Sequence, residues 1–169
     1  MDLLALMSQS PGVIALAEAL EAGRRVQASG SLGSSTAFVA GAVARLTRRT
    51  LMLVVAHLDD ADEAVDELVS AGSAAVRLPA LEGLPGQDGG SLEVFAERLG
   101  VMRRVLASAD GASTGARPER EPAFVVVCPI QALMQAVPDP EQLGLLSRVI
   151  RRGDAVRPGD LVRWLEGAG

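Results

Sequence analysis

The chain has 169 residues, enough for one α/β domain with a buried core, and a net charge of −5. Its acidic residues are scattered along helical stretches, which excludes a surface given over to coating nucleic acid, since that needs a basic stripe. All 16 basic residues are arginine, so the chain can supply neither a phosphate-loop lysine, nor a Schiff-base lysine, nor the lysine of a receiver-type phosphorylation site.

Hydrophobic residues make up 49% and aromatics only 2%, so the core must be built of Val, Leu and Ala. Cys128 is alone, which rules out a disulfide framework or a CxxC pair. No basic leader and no apolar run near the ~20 residues of a membrane span are present, and a cytoplasmic protein with no membrane partner is expected.

In chain order, residues 1–7 suggest a short helix, and the stretch from Val13 to Gly23 a second one. Its apolar spacing is set by Ile14, Ala17 and Leu20, and Gly23 is a stop signal. A short strand is expected over 25–28, then a Gly/Ser turn, then a helix over 34–46 ending in the basic cluster Arg45, Arg48 and Arg49. The continuous apolar run 50–56 reads as a strand buried on both faces, as in a parallel sheet.

His57 follows that run. A helix capped by Asp59 or Asp60 then carries the stripe Ala61, Ala64, Val65 and Leu68, and Gly72 ends it. A third strand is expected over 74–78, followed by a Gly/Pro-rich loop over 81–90. The next helix places Leu92, Phe95, Leu99, Met102 and Leu106 on one face, and the polar segment 108–122 reads as a flexible loop. The run 123–128 is a further buried strand, Pro129 opens a helix over 129–137, and 140–147 suits another short helix. Residues 148–154 read as an edge strand and 157–169 as a closing helix. Strands alternating with helices predict a three-layer α/β/α domain around a mostly parallel sheet.

The Gly/Ser turn is the most informative stretch. A phosphate-binding loop joins a strand to a helix and reads Gly, four residues, then Gly-Lys-Ser/Thr. With Gly30 as the first glycine and Gly33 internal, the second glycine falls on Ser35, the lysine on Thr36 and the magnesium-binding hydroxyl on Ala37. Hydrolysis needs the lysine and metal-held phosphates as well as the cradle. Gly30, Ser31, Gly33, Ser34, Ser35 and Thr36 are therefore expected to form a vestigial loop, binding an anion weakly at most, with no cofactor and no catalytic residues.

Other candidates have plainer readings beside the functional one. His57, at a strand end near Asp59 and Asp60, could serve acid/base or metal chemistry, but it is the only histidine and the two aspartates suit a helix cap. Cys128 before a helix-opening proline could be a nucleophile, or a small apolar core residue. Arg45, Arg48 and Arg49, with Arg148, Arg151 and Arg152, could touch DNA phosphates or an acidic partner, or could be solvated element ends. Trp164 would pack the closing helix onto the sheet.

Four stretches together carry a resemblance over residues 24–169. They are "ASGSLGSST", "LMLVVAHLDDADEAVDEL", "LEGLP" with "FAERLGVMRRVL", and "FVVVCPIQALMQAVP". In this order they resemble the N-terminal region of bacterial transcription-repair coupling factors, which is similar in turn to the first domain of the excision-repair protein UvrB. The last stretch is the most specific, a strand followed by Pro/Ser-Val-x-x-Leu-Met-Gln and a proline. Arg98 and Leu99 match an Arg-Leu pair of the family, and the closing segment with Gly153 and Asp154 matches its basic strand and helix. The family's Trp-Glu-Thr-Leu-Pro has Leu81 for Trp and Gly83 for Thr here, and the segment after it is rewritten as "GQDGGS".

The resemblance implies a helicase-like, P-loop NTPase fold that has lost ATP hydrolysis. It implies a non-catalytic module of transcription-coupled nucleotide excision repair, the first subdomain of a longer protein, that supports UvrA recruitment and autoinhibition. Adjacent domains of the factor would be its direct partners. UvrA, RNA polymerase and DNA would be met through the full-length protein, an ATP-dependent DNA translocase. Two readings from other classes stand beside it: a working nucleotide-binding ATPase or helicase domain, and a free-standing regulatory domain that binds a small anion at the Gly/Ser turn.

Overall fold

The buried apolar run before Pro129 becomes the centre of the molecule's sheet. A computed structural model describes residues 2–31, 33–81, 91–113 and 123–168. Three parallel strands, β1 (Leu51–Val55), β2 (Ala75–Arg77) and β3 (Val125–Pro129), pair in the order β1-β3-β2. Leu51 lies opposite Val125 and Val55 opposite Pro129, while Ala75 to Arg77 pair with Val125 to Val127. Every residue of β3 is buried, as its unbroken Val-Val-Val-Cys sequence requires of a central parallel strand.

The chain falls into two compact units, Met1–Gln135 and Ala136–Gly169. The first contains the sheet and six helices: α1 (Leu3–Met7), α2 (Pro11–Glu21), α3 (Ser35–Thr47), α4 (Leu58–Ser70), α5 (Leu92–Ser113) and α6 (Ile130–Leu133). On one face of the sheet Ala37 and Ala44 of α3 and Ala61, Ala64 and Leu68 of α4 pack with Val125 and Val127. On the other, Val101, Met102 and Val105 of α5 pack with Phe124, Val126 and Cys128. Helices on both faces of a parallel sheet make this unit mixed α/β. The small Ala/Val interface lets helices approach closely. Gly41 is the extreme case, since a Cβ there would sit 2.9 Å from Leu68 Cδ2 and 3.2 Å from Leu4 Cδ2.

The helix boundaries follow local chemistry. Asp2 accepts the Ala5 N–H at 2.9 Å and caps α1. Pro11 opens α2, and Gly23 with φ +69° ends it. The N-cap of α4 is His57 rather than Asp59 or Asp60. Asp60 sits three positions on and accepts the His57 N–H at 3.3 Å, while both aspartates favour the positive helix end from within the first turn.

Several elements differ from the sequence-based expectation. Residues 24–31 are exposed and irregular, so no strand forms over 25–28; the sheet offers that segment no paired neighbour. β1 is not buried on both faces. It is the sheet edge, Leu51, Leu53 and Val55 pack against the α3/α4 side, and Met52 and Val54 on the opposite side remain 46% and 44% exposed. The buried face of α5 is Arg98, Leu99 and Val101, whereas Leu92 is 84% exposed, so the buried apolar stripe begins about two turns later than its spacing suggests. α5 also runs on to Ser113, taking in the start of the expected 108–122 loop; 114–122 and the Gly/Pro-rich stretch 82–90 lie outside the described residues. α6 is only 4 residues long, and Pro129 is its N-cap, in extended conformation at the end of β3.

The second unit holds α7 (Pro140–Leu146) and α8 (Pro158–Ala168). Asp139 caps α7 by accepting the Gln142 N–H at 2.8 Å, and Gln142 returns a bond from the Asp139 N–H at 3.4 Å. Residues 147–157 between the two helices contain no strand. Arg151 instead gives its backbone N–H to Asp154 at 2.7 Å in a turn closed by Gly153 at φ +100°. Trp164 in α8 is partly exposed.

Candidate functional site

The Gly/Ser turn leads into the N-terminus of α3. Gly30 and Gly33 adopt φ +95° and +54°, conformations that side-chain-bearing residues rarely take, so both glycines are needed for the turn. Ser31 Oγ lies 3.0 Å from Ser35 Oγ and 2.7 Å from Thr36 Oγ1, so the hydroxyls at the helix end bond to one another. The lysine position of a phosphate loop is thus Thr36, whose short hydroxyl is turned back onto Ser31. The magnesium-hydroxyl position is Ala37, 3% exposed and packed in the core cluster of Ala61, Leu68 and Val127. The position that should present oxygen to a metal-bound nucleotide presents a methyl group to the sheet. An exposed helix N-terminus can still attract an anion through its backbone N–H groups.

Arg45, Arg48 and Arg49 sit toward the far end of the same helix, roughly 15–20 Å along it from the turn at about 1.5 Å per residue, and cannot serve it. The carboxylate of Asp2 holds Arg45 Nη1 at 2.7 Å and is itself held below its usual range, chiefly by that bond. Arg48 and Arg49 are exposed. Arg148, Arg151 and Arg152 belong to the second unit and are exposed there. His57 is exposed and serves as the α4 cap. Among the described residues no group of His, Cys, Asp and Glu is placed to hold a metal ion. Cys128 is fully buried inside β3, and burial pushes its thiol above the ordinary value, with Arg98 opposing. A protonated, inaccessible thiol suits a core residue and not a nucleophile.

One cluster of polar groups was not read from spacing. Arg98 is 2% exposed, yet no carboxylate faces it among the described residues. Its guanidinium donates to the carbonyls of Pro79 at 2.8 Å, Ala132 at 2.9 Å and Gln135 at 3.4 Å. Burial pushes its pKa below the ordinary value. The Gln135 side chain accepts the Leu81 N–H and donates to the Leu81 carbonyl, both at 2.8 Å. Together they tie the chain leaving β2, the middle of α5 and the end of α6 to one another. The signal was present in the sequence: Arg98 occupies the i+4 place in the apolar series Val94, Val101, Val105 of α5, and a charge in such a stripe requires partners.

The fold and this site define a mixed α/β protein with a parallel sheet, a glycine-dependent turn before a helix, and a buried arginine lock on the sheet's other side. No family model, curated protein or solved structure matches the chain. Among the described residues no helix is long and apolar enough to cross a membrane.

Proposed function

We propose that the chain is a non-catalytic structural and interaction module of a transcription-repair coupling factor, with a UvrB-like, P-loop-derived fold. One observation carries the reading. The stretch with the most specific resemblance, which holds Ala132 and Gln135, is joined by hydrogen bonds to Arg98 of another matching stretch, so these side chains have a physical reason to occur together. The turn supports the non-catalytic half of the reading, because Thr36 and Ala37 stand where a nucleotide site needs a lysine and a metal-binding hydroxyl. The module would then act through its surfaces, holding adjacent domains and restraining the motor of the parent protein until UvrA and stalled RNA polymerase are engaged.

Two measurements test this. Isothermal calorimetry with ATP and magnesium should give no saturable heat; saturable binding lost on placing a bulky residue at Gly33 makes the turn a working nucleotide site and overturns the reading. Added to a coupling factor that lacks its own N-terminal region, the chain should lower the factor's ATPase rate. An unchanged rate across a wide concentration range removes the restraining role.

A further inference from the structure

Two helices deliver four arginines to one end of the first unit. α2 and α3 pack side by side through Val13, Ala17, Ala42 and Val43. Their C-termini finish together, since Leu20 and Glu21 of α2 line one shallow groove with Thr47, Arg49 and Thr50 at the end of α3. Arg24 and Arg25 follow α2, and Arg48 and Arg49 follow α3. All four are exposed, and none forms an ion pair among the described residues. Glu21 is the carboxylate in the groove lining, and Asp2, the N-cap of α1, is engaged by Arg45.

Arg48 gives a second, independent observation. It is the C-cap of α3 at φ +52°, ψ +33°, the left-handed conformation that suits glycine or asparagine. Among the described residues no other non-glycine residue has a positive φ. A helix C-terminus attracts a cation placed anywhere in its last turn, so the dipole does not require arginine at the one strained position. An unpaired charge held in a strained, exposed conformation points to a binder outside the chain.

We infer that Arg24, Arg25, Arg48 and Arg49 bind the phosphate backbone of duplex DNA, an inference independent of the family reading above. Guanidinium groups take phosphate oxygens two at a time, and the Thr50 hydroxyl in the same groove can add a donor. An acidic protein partner would be anchored by an apolar side chain in a deep pocket, and the shallow groove provides none. The net charge of −5 confines attraction to this patch, so binding is weak, salt-sensitive and indifferent to base sequence.

Fluorescence anisotropy of a short labelled duplex, titrated with the full chain over a salt series, tests the inference. Four contacts predict a log–log salt slope of about −3.6. Arg48→Gly/Arg49→Ser should bring it to about −1.8, and Arg24→Ser/Arg25→Ser, in an irregular segment, should do the same. Arg48→Gly alone should raise the thermal midpoint while weakening binding, a combination that a purely structural arginine does not give. No binding at low salt, a slope unchanged in both double variants, or displacement of the duplex by polyglutamate at equal charge each overturns the inference; the last would assign the patch to an acidic protein.

Discussion

Arg98→Leu removes the guanidinium and keeps an apolar side chain of workable size in the α5 stripe. The Pro79 carbonyl, now bonded at 2.8 Å, would be left buried without that donor, while the Ala132 carbonyl would lose its 2.9 Å bond and keep the long 3.4 Å one from the Gln135 N–H. Each such acceptor costs roughly 1–3 kcal/mol, and the 3.4 Å bond to Gln135 adds little. Against that stands the relief of no longer desolvating a cation that no carboxylate faces among the described residues, together with the apolar transfer of leucine. The Pro79 carbonyl at about 2 kcal/mol and the weakened Ala132 carbonyl at about 1 kcal/mol, less about 1 kcal/mol of relief, leave a net loss of about 2 kcal/mol. That is a large part of the roughly 5–15 kcal/mol a domain has. Equilibrium urea unfolding should show the midpoint falling with the slope unchanged. Arg98→Lys keeps the charge but has one compact donor group in place of a planar fork, and should recover less than half of the loss. Amide hydrogen exchange should speed up at Leu81 and along 132–135, where the lock closes. A loss under about 0.5 kcal/mol for Arg98→Leu refutes the argument, since that is the scatter of surface substitutions.

Two glycines within helices should respond in opposite ways. Gly100→Ala in α5 meets open space and should stabilise the chain by about 0.5–1 kcal/mol through helix propensity; Gly41→Ala in α3 drives a methyl against Leu68 and Leu4, where overpacking of about 1–3 kcal/mol cancels or outweighs the same gain. Thermal unfolding of both variants decides it. Cys128 sets an alkaline limit: its thiol pKa is raised in the folded state, so its contribution is complete below the ordinary value of 9.0 and is lost as pH rises above it. Urea midpoints followed from neutral to alkaline pH should fall more steeply for the parent than for Cys128→Ala. Parallel curves would show that the buried thiol does not titrate with unfolding. Gln135→Ala deletes both bonds to Leu81 and should cost roughly 1–2 kcal/mol, no more than Arg98→Leu, because Leu81 is only partly buried and water can replace one partner.

Local chemistry was enough for much of this protein. The α4 stripe of Ala61, Ala64 and Leu68, the buried run of β3, the Asp139 cap with Pro140 at the start of α7, and the closing helix α8 are each set by residues within a few positions of one another. The absence of lysine likewise means that Thr36 stands at the lysine position of the phosphate-loop pattern, whatever surrounds it. The structure added only that Ala37 is turned into the core and that Ser31 is bonded to its neighbours.

What the sequence misplaced was whatever depends on a distant partner. Residues 25–28 and 148–154 read as strands, but a strand exists only where another offers its N–H and C=O groups, and among the described residues neither has a paired neighbour. β1 has the composition of a doubly buried strand and became a half-exposed edge, because strand order is decided by which segments meet across long loops. Arg98 enters the sequence reading only as half of an Arg-Leu match, because its carbonyl partners lie 19 to 37 residues away. Periodicity and capping act over one or two turns, so the sequence alone determined the elements that need nothing further. Pairing, burial of a charge and the face a helix presents are settled by atoms far apart in the chain, and only the tertiary structure brings those together.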